Sequence, residues 1–168
     1  MTATPLHIEQ LAKDCGEILL QKGWKLSAAE SCTGGNISRS ICSVSGCSEY
    51  YLGSVTSYAN SVKINVLGVP EAIINQHGAV SKECVEKMAE GVRKLTGSDI
   101  SVATSGIAGP GGGSKEKPVG LVWIGISSPI GTRSLPFHHN GNREENITAF
   151  TAAALRELLQ ELQSEHLK

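Results

Sequence analysis

Helical and strand-like hydrophobic patterns alternate along the chain, and two glycine-rich segments interrupt them where strand-like runs end. One is Thr33-Gly34-Gly35, and the other is residues 106–120, which contain six glycines and two prolines. Such a segment cannot form a regular helix or strand, because glycine disfavours both and proline lacks an amide donor. The alternation predicts an α/β fold, a three-layer α/β/α sandwich with a mixed β-sheet. Ligands of such folds bind at the loops beyond the strand ends.

The spacing of apolar residues predicts the individual elements. Apolar residues three or four positions apart form one face of a helix, and β-branched or aromatic runs are typical of strands. Helices are predicted at residues 6–22, 33–43, 60–66, 71–76, 81–95 and from 144 onward. Strands are predicted at residues 24–28, 50–58, 99–104, 119–127 and 132–137.

The size and charge of the chain exclude several classes of protein. With 168 residues, 40% of them apolar and 18% charged, the sequence predicts one globular domain over residues 1–168. An aromatic content of 4% and a net charge of −1 argue against a nucleic-acid partner. No apolar run approaches the roughly 20 residues of a membrane span, and the first residues lack a secretory signal pattern. We therefore expect a cytoplasmic protein with no membrane partner.

The five cysteines are an odd number and include no pair with the spacing of a zinc site. Cys42 and Cys47 are five positions apart, with no matching pair of histidines. We therefore expect no metal site, and interpret the cysteines as small buried thiols in a reducing compartment.

Ser31 lies in residues 29–35, AESCTGG, where a predicted strand ends and a helix begins. Free amide groups at a helix start attract an anion or a developing oxyanion, and glycine permits close approach to the backbone. A serine at this corner is placed like a nucleophile, although the spacing is not that of a GxSxG elbow. The alternative is that Ser31 or Thr33 only caps the helix.

A nucleophilic serine needs a base that accepts its proton. Tyr58 and Lys63 lie five positions apart at a strand-to-helix junction, and a desolvated lysine can act as such a base. The alternative for Lys63 is a solvated position on a short helix. None of the histidines has an obvious aspartate partner, so the sequence leaves a Ser-His-Asp triad open without supporting it; they are His7, His77, His138, His139 and His166.

Two further segments offer groups that bind anions. Ser105 and Gly106 open the long glycine-rich loop, which presents amides and a hydroxyl but matches no phosphate-binding motif. Arg143 precedes the last predicted helix and can place a guanidinium on a phosphate. The alternatives are a flexible surface turn and a solvent-exposed arginine.

Taken together, these segments resemble the CinA C-terminal domain family, also called nicotinamide-nucleotide amidohydrolases. The resemblance covers nearly the whole chain, from about residue 11 to 159. Its most specific motifs are AESCTGG at 29–35 and GIAGPGG at 106–112, in that order. The others are VSGCSEYYLG at 44–53, SYANSVK at 57–63, LGV at 67–69, HGAVS at 77–81, KPVG at 117–120 and GNRE at 141–144.

The resemblance implies an α/β/α domain that hydrolyses nicotinamide mononucleotide to nicotinic acid mononucleotide and ammonia, without metal or cofactor. It implies a pyridine-nucleotide partner and self-association into a homo-oligomer. Ser31 would attack the carboxamide, and Lys63 with Tyr58 would accept and return the proton. Amides near residues 33–35 would hold the oxyanion. The residues expected to bind substrate are Thr33, Gly34, Gly35, Ser48, Ser105, Gly106 and Arg143.

The chain departs from the family pattern around the expected binding residues. The family usually has Thr at Ser105 and Asp at Asn142, and often Ser at Cys47 and Gly at Ser54. These substitutions leave the Ser31, Tyr58 and Lys63 set intact. They keep open an alternative function, a weakly active or inactive paralogue that serves as a nucleotide-binding module.

Overall fold

The computed structural model describes residues 5–164 and, from residue 7 onward, their side chains. This part of the chain forms six α-helices, five β-strands and a single 3-10 turn at Cys47–Glu49. The helices are α1 (Pro5–Lys22), α2 (Asn36–Cys42), α3 (Asn60–Asn65), α4 (Glu71–His77), α5 (Lys82–Thr96) and α6 (Arg143–Gln163). The strands are β1 (Leu26–Glu30), β2 (Tyr51–Thr56), β3 (Ile100–Gly106), β4 (Leu121–Ser128) and β5 (Gly131–His138). His166 and the two ends of the predicted domain, residues 1–4 and 165–168, lie outside the described residues.

The strands form one sheet in the order β2-β1-β3-β4-β5. Strands β2, β1 and β3 are parallel, whereas β4 and β5 form antiparallel pairs at the other side of the sheet. In the register of the parallel strands, Glu30 of β1 lies opposite Thr56 of β2 and Thr104 of β3. The carboxyl ends of these strands therefore meet at one edge of the sheet.

Helices cover both faces of the sheet. Helices α1, α2 and α6 pack together on one face, and α5 lies on the other with α4 beside it. Because side chains alternate along a strand, Ala28 of β1 belongs to the core beneath the first group and Ala29 to the core beneath α5. Phe150 anchors the first core and Met88 the second. The predicted three-layer sandwich with a mixed sheet is confirmed.

Strand β1 and helix α2, which flank Ser31, begin later than the sequence predicts. Gly23 has a left-handed φ of 65°, and the amides of Gly23 and Trp24 donate to carbonyls of α1. Trp24 is therefore part of the helix ending, and β1 begins at Leu26. Helix α2 begins at Asn36 because residues 32–35 form a turn that is held by the end of β1. No helix within residues 5–164 combines the length and apolar composition that a membrane crossing requires.

Candidate active site

The candidate site lies where the parallel strands end. Ser31 follows β1, and its amide donates to the carbonyl of Thr104 in β3 at 3.0 Å. Ser57 follows β2, and its amide donates to the carbonyl of Glu30 at 2.7 Å. These bonds extend the sheet by one residue and bring the segment after β2 beside Ser31.

Lys63 of α3 contacts Ser31 directly. Its Nζ lies 3.0 Å from Ser31 Oγ, 2.6 Å from the main-chain oxygen of Ser57 and 3.1 Å from that of Tyr58. The predicted pair of serine and lysine is therefore within hydrogen-bonding distance. The contact between Lys63 Nζ and Ser31 Oγ is direct.

The environment of Lys63 favours a neutral amine. The side chain is 1% exposed, and within residues 5–164 no ion pair joins it to a carboxylate. Burial lowers the pKa of Lys63 below its ordinary value, while the Cys84 and Cys32 thiols act in the opposite direction. The alternative of a solvated lysine is wrong.

Glu30 stabilises the turn at residues 32–35, which directly follows Ser31. This fully buried carboxylate accepts hydrogen bonds from the Thr33 hydroxyl and from the amides of Gly35, Ile37 and Ser38, at 2.7 to 3.1 Å. It therefore occupies the amino-terminal end of α2, where an anion would otherwise bind. The cap of α2 is thus neither Ser31 nor the Thr33 side chain.

The Glu30 contacts change which amides are open to a ligand. The Gly35 amide is bonded to Glu30, and the Gly34 amide donates to the Ser31 carbonyl at 3.1 Å. In the described part of the chain, the amides of Cys32 and Thr33 make no hydrogen bond to another residue. They are the two amides directly after Ser31. Of the amides expected to hold an oxyanion, those of Gly34 and Gly35 are therefore already bonded within the chain, and that of Thr33 is not.

A narrow cleft of about 260 Å³ opens in front of Ser31 and Lys63. Its far wall is the glycine-rich loop, including Gly106, Gly109 and the residues between them. The Ser105 hydroxyl, predicted to bind substrate, also lines this cleft but donates to the Ala79 carbonyl at 2.7 Å. A Cβ at Gly106 would lie 2.5 Å from the Leu121 oxygen, so glycine is required there by the close approach of β4.

Arg143 spans the mouth of the narrow cleft. Its guanidinium donates to the Gly109 carbonyl at 2.6 Å and to the Tyr58 hydroxyl at 3.0 Å. Tyr58 is 60% exposed and reaches Lys63 only through its main-chain carbonyl. The structure thus places the Tyr58 hydroxyl with Arg143 and not between Ser31 and Lys63.

Buried Asn146 positions the first turn of α6, which carries Arg143. Its side-chain nitrogen donates to the carbonyls of Ala108 and Gly141, and its oxygen accepts from the Gly141 amide and from His139 Nδ1, each at 3.0 Å. It joins the glycine-rich loop to the helix. Sequence reasoning missed this residue, because an asparagine inside a helix carries no signal of a tertiary role.

A second, wide cavity of about 810 Å³ lies on the other side of Arg143, between α1, α2 and the start of α6. Three of the predicted binding residues, Thr33, Gly34 and Gly35, line this wide cavity and not the narrow cleft. Arg39 also lines it and is exposed, and its guanidinium has no hydrogen-bond or ion-pair partner among residues 7–164. Sequence reasoning missed Arg39 because it lies in the middle of a short helix.

Ser48 is not brought to either cavity. It lies in the 3-10 turn before β2 and is exposed, at the amino end of a strand whose carboxyl end faces Ser31. Because β1 and β2 are parallel, the whole length of β2 separates Ser48 from the site in this chain. Its predicted contact with substrate therefore finds no support in the protomer.

Within residues 5–164, no three His, Cys, Asp or Glu side chains are grouped to hold a metal ion.

The comparisons with known proteins agree with this architecture. The family model for the CinA C-terminal domain matches residues 8–162. The chain belongs to the CinA C-terminal domain family. A CinA-like protein of Desulfotalea psychrophila is 46% identical over 137 residues, and one of Endomicrobium trichonymphae is 44% identical over 158 residues. These matches cover 82% and 94% of the chain.

The chain spans 33% and 37% of the length of these two relatives. Solved structures match over nearly their whole length. The competence damage-inducible protein A of Klebsiella pneumoniae superposes with a TM-score of 0.91 at 33% identity, covering 94% of this chain and 98% of that one. The competence/damage inducible protein of Agrobacterium tumefaciens gives a TM-score of 0.88 at 35% identity, covering 94% and 96%.

Proposed function

We propose that this domain is an amidohydrolase that converts nicotinamide mononucleotide to nicotinic acid mononucleotide and ammonia. The observation that carries the proposal is the 3.0 Å contact between Lys63 Nζ and Ser31 Oγ in the lining of the narrow cleft. The substrate assignment comes from the family resemblance.

The two carbonyls beside Lys63 support its role as a base. A neutral amine has two N–H donors and one lone pair, and a main-chain carbonyl can only accept. When both N–H groups donate to the Ser57 and Tyr58 carbonyls, the lone pair is left for the Ser31 hydroxyl. Ser31 then donates its proton to Lys63 as its oxygen attacks.

The reaction proceeds in two halves. In the first, Ser31 Oγ bonds to the carboxamide carbon, the carbon–nitrogen bond breaks, and the protonated Lys63 gives its proton to the departing ammonia. In the second, water attacks the resulting ester, Lys63 accepts the proton of that water, and Ser31 regains a proton as its oxygen leaves. The Cys32 amide, whose residue lines the narrow cleft beside Ser31, would stabilise the oxyanion in both halves, and such a donor contributes on the order of 100-fold.

The nucleotide would extend from the narrow cleft toward the wide cavity. Arg143 borders both spaces and would contact the phosphate, and Arg39 lines the wide cavity that the phosphate would approach. Under this proposal the acting unit is the predicted domain of residues 1–168. It works in the cytoplasm as a homo-oligomer, without metal or cofactor and with no nucleic-acid or membrane partner.

Ammonia release from nicotinamide mononucleotide by the purified chain tests the proposal. We expect turnover that is lost in Ser31→Ala and kept in Ser45→Ala, an exposed serine that lines neither the narrow cleft nor the wide cavity. Release that persists in Ser31→Ala would exclude the serine nucleophile. Tight binding by calorimetry with no turnover would instead favour a nucleotide-binding module.

A further inference from the structure

Two of the five cysteines differ from the others in their surroundings. Cys42 ends α2 and is exposed, and Cys47 opens the 3-10 turn and is half-buried. The remaining three, Cys15, Cys32 and Cys84, are buried. The expectation that all the cysteines are buried is therefore wrong for this pair, and the proposed hydrolysis does not use either thiol.

The chain turns back between the two thiols. The Val44 amide donates to the Ile41 carbonyl at 3.1 Å and the Cys47 amide to the Val44 carbonyl at 3.2 Å, while Gly46 adopts a left-handed φ of 85°. This path brings Cys47 Sγ to 4.0 Å from the main-chain oxygen of Cys42. Cys47 is also close enough to Cys42 to contribute to the raised pKa of the Cys42 thiol.

A disulfide requires adjacent Cα atoms about 4.4–6.8 Å apart and side chains that face each other. The contact between Cys47 Sγ and the Cys42 main-chain oxygen brings the two residues side by side. The Cys47 sulfur therefore already lies beside the residue with which it would bond.

We propose that Cys42 and Cys47 form an intramolecular disulfide when the protein meets a disulfide oxidant such as oxidised glutathione. The exposed Cys42 thiolate attacks one glutathione sulfur, forms a mixed disulfide and releases one reduced glutathione. The Cys47 thiolate then attacks the Cys42 sulfur, and the second glutathione leaves. Two protein thiols are oxidised, one oxidised glutathione is reduced, and the two protein protons end on the two released thiols.

The surroundings make this reaction selective. Burial raises the pKa of Cys15 and Cys32 to about 12 and of Cys84 to about 11, so these thiols remain protonated and inaccessible. Partial burial also raises the pKa of Cys42, so its oxidation speeds up as pH rises and the thiolate fraction grows. The new bond would fix the turn at residues 43–46, in which Ser43 lines the wide cavity.

Mass spectrometry of the oxidised full chain tests the proposal directly. Both thiols fall in one tryptic peptide, residues 40–63, while Cys32 falls in residues 26–39. After treatment with oxidised glutathione and alkylation in denaturant, we expect peptide 40–63 to lose two hydrogens and to carry neither glutathione nor alkyl groups. The other three cysteines should be fully alkylated.

Variants separate the internal bond from simple surface reactivity. Cys47→Ser should retain a stable glutathione adduct on Cys42, because the thiol that would displace the glutathione is gone. Cys84→Ser should react as the wild-type chain does. A glutathione adduct that persists on Cys42 of the wild-type chain would overturn the proposal. So would disulfide-linked dimers, or five unreacted thiols.

Discussion

Lys63 Nζ lies 3.0 Å from Ser31 Oγ, while the main-chain oxygens of Ser57 and Tyr58 occupy its two other close contacts. In this arrangement the amine faces the serine hydroxyl on one side. Its remaining hydrogen-bonding positions are taken by main-chain carbonyls, which are acceptors that cannot ionise. A lysine so placed is suited to a proton-transfer role, and burial favours the uncharged form that this role needs.

Replacing the lysine tests this role. Lys63→Met keeps the length of the side chain but removes the base, and we expect kcat for ammonia release to fall on the order of 10²- to 10⁴-fold. Lys82→Met, a lysine at the exposed start of α5, is the matched control and should leave kcat unchanged. Equal rates for the two variants would remove Lys63 from the mechanism.

The pH profile of kcat/KM should report the same group. The reactive form is the neutral amine, so kcat/KM rises about tenfold per pH unit below the pKa of Lys63 and is constant above it. Because burial lowers the pKa of Lys63, the plateau should begin below the ordinary lysine value of 10.5. A kcat/KM that falls as pH rises toward the plateau, or that reaches its plateau only above pH 10.5, would contradict a lysine base with a lowered pKa.

Glu30→Gln should destabilise the fold. The carboxylate accepts three amide hydrogen bonds at the start of α2, and a glutamine would turn an NH2 group toward one of these amides. Hydrogen bonds to charged groups contribute about 1.5–3 kcal/mol, so we expect a loss of at least about 2 kcal/mol in urea unfolding. Glu71→Gln, in the first turn of exposed α4, should cost less than about 1 kcal/mol. Similar losses for both would show that the buried Glu30 carboxylate stabilises the fold no more than an exposed carboxylate at a helix start.

Two glycines of the same segment should differ in their tolerance of alanine. A Cβ at Gly106 would meet the Leu121 oxygen at 2.5 Å and the Val122 Cα at 2.8 Å, whereas one at Gly111 meets nothing within 4 Å. Because overpacking is destabilising, we expect Gly106→Ala to lower the free energy of unfolding by about 1–3 kcal/mol or more. Gly111→Ala should leave the free energy of unfolding unchanged. Comparable melting temperatures for the two variants would argue against the close packing of β3 on β4.

Arg143 and the phosphate can be tested by comparing two substrates. Loss of a hydrogen bond to a charged group costs about 1.5–3 kcal/mol, so Arg143→Ala should lower kcat/KM for nicotinamide mononucleotide on the order of 10- to 100-fold. The effect on nicotinamide riboside, which lacks the phosphate, should be much smaller. Arg39→Ala should have the same preference with a smaller magnitude, and Arg156→Ala on the exposed side of α6 none. An equal loss of kcat/KM on both substrates for Arg143→Ala would show that the residue supports the structure of the cleft and does not contact the phosphate.

Local pattern alone was enough to predict the sandwich and most elements. Apolar spacing located α1, α5 and α6, and α5 begins where predicted because the Ser81 hydroxyl accepts a hydrogen bond from the Cys84 amide. These features depend on residues within a few positions of one another, so the sequence contains them. The predicted start of β1 was wrong because the closure of α1 around Gly23 extends into the following residues.

The candidate site was predicted only as a set of residue types. Ser31 and Lys63 are separated by 32 positions, and their contact exists because β1 and β2 are parallel and end at the same edge. The tertiary structure also decided that Glu30 occupies the start of α2, that Tyr58 pairs with Arg143, and that Ser48 lies at the opposite end of β2. The sequence by itself determined which segments form helices and strands, because that choice is made by neighbouring residues. Which side chains meet was decided by strand order and direction, because these bring together residues that no local pattern connects.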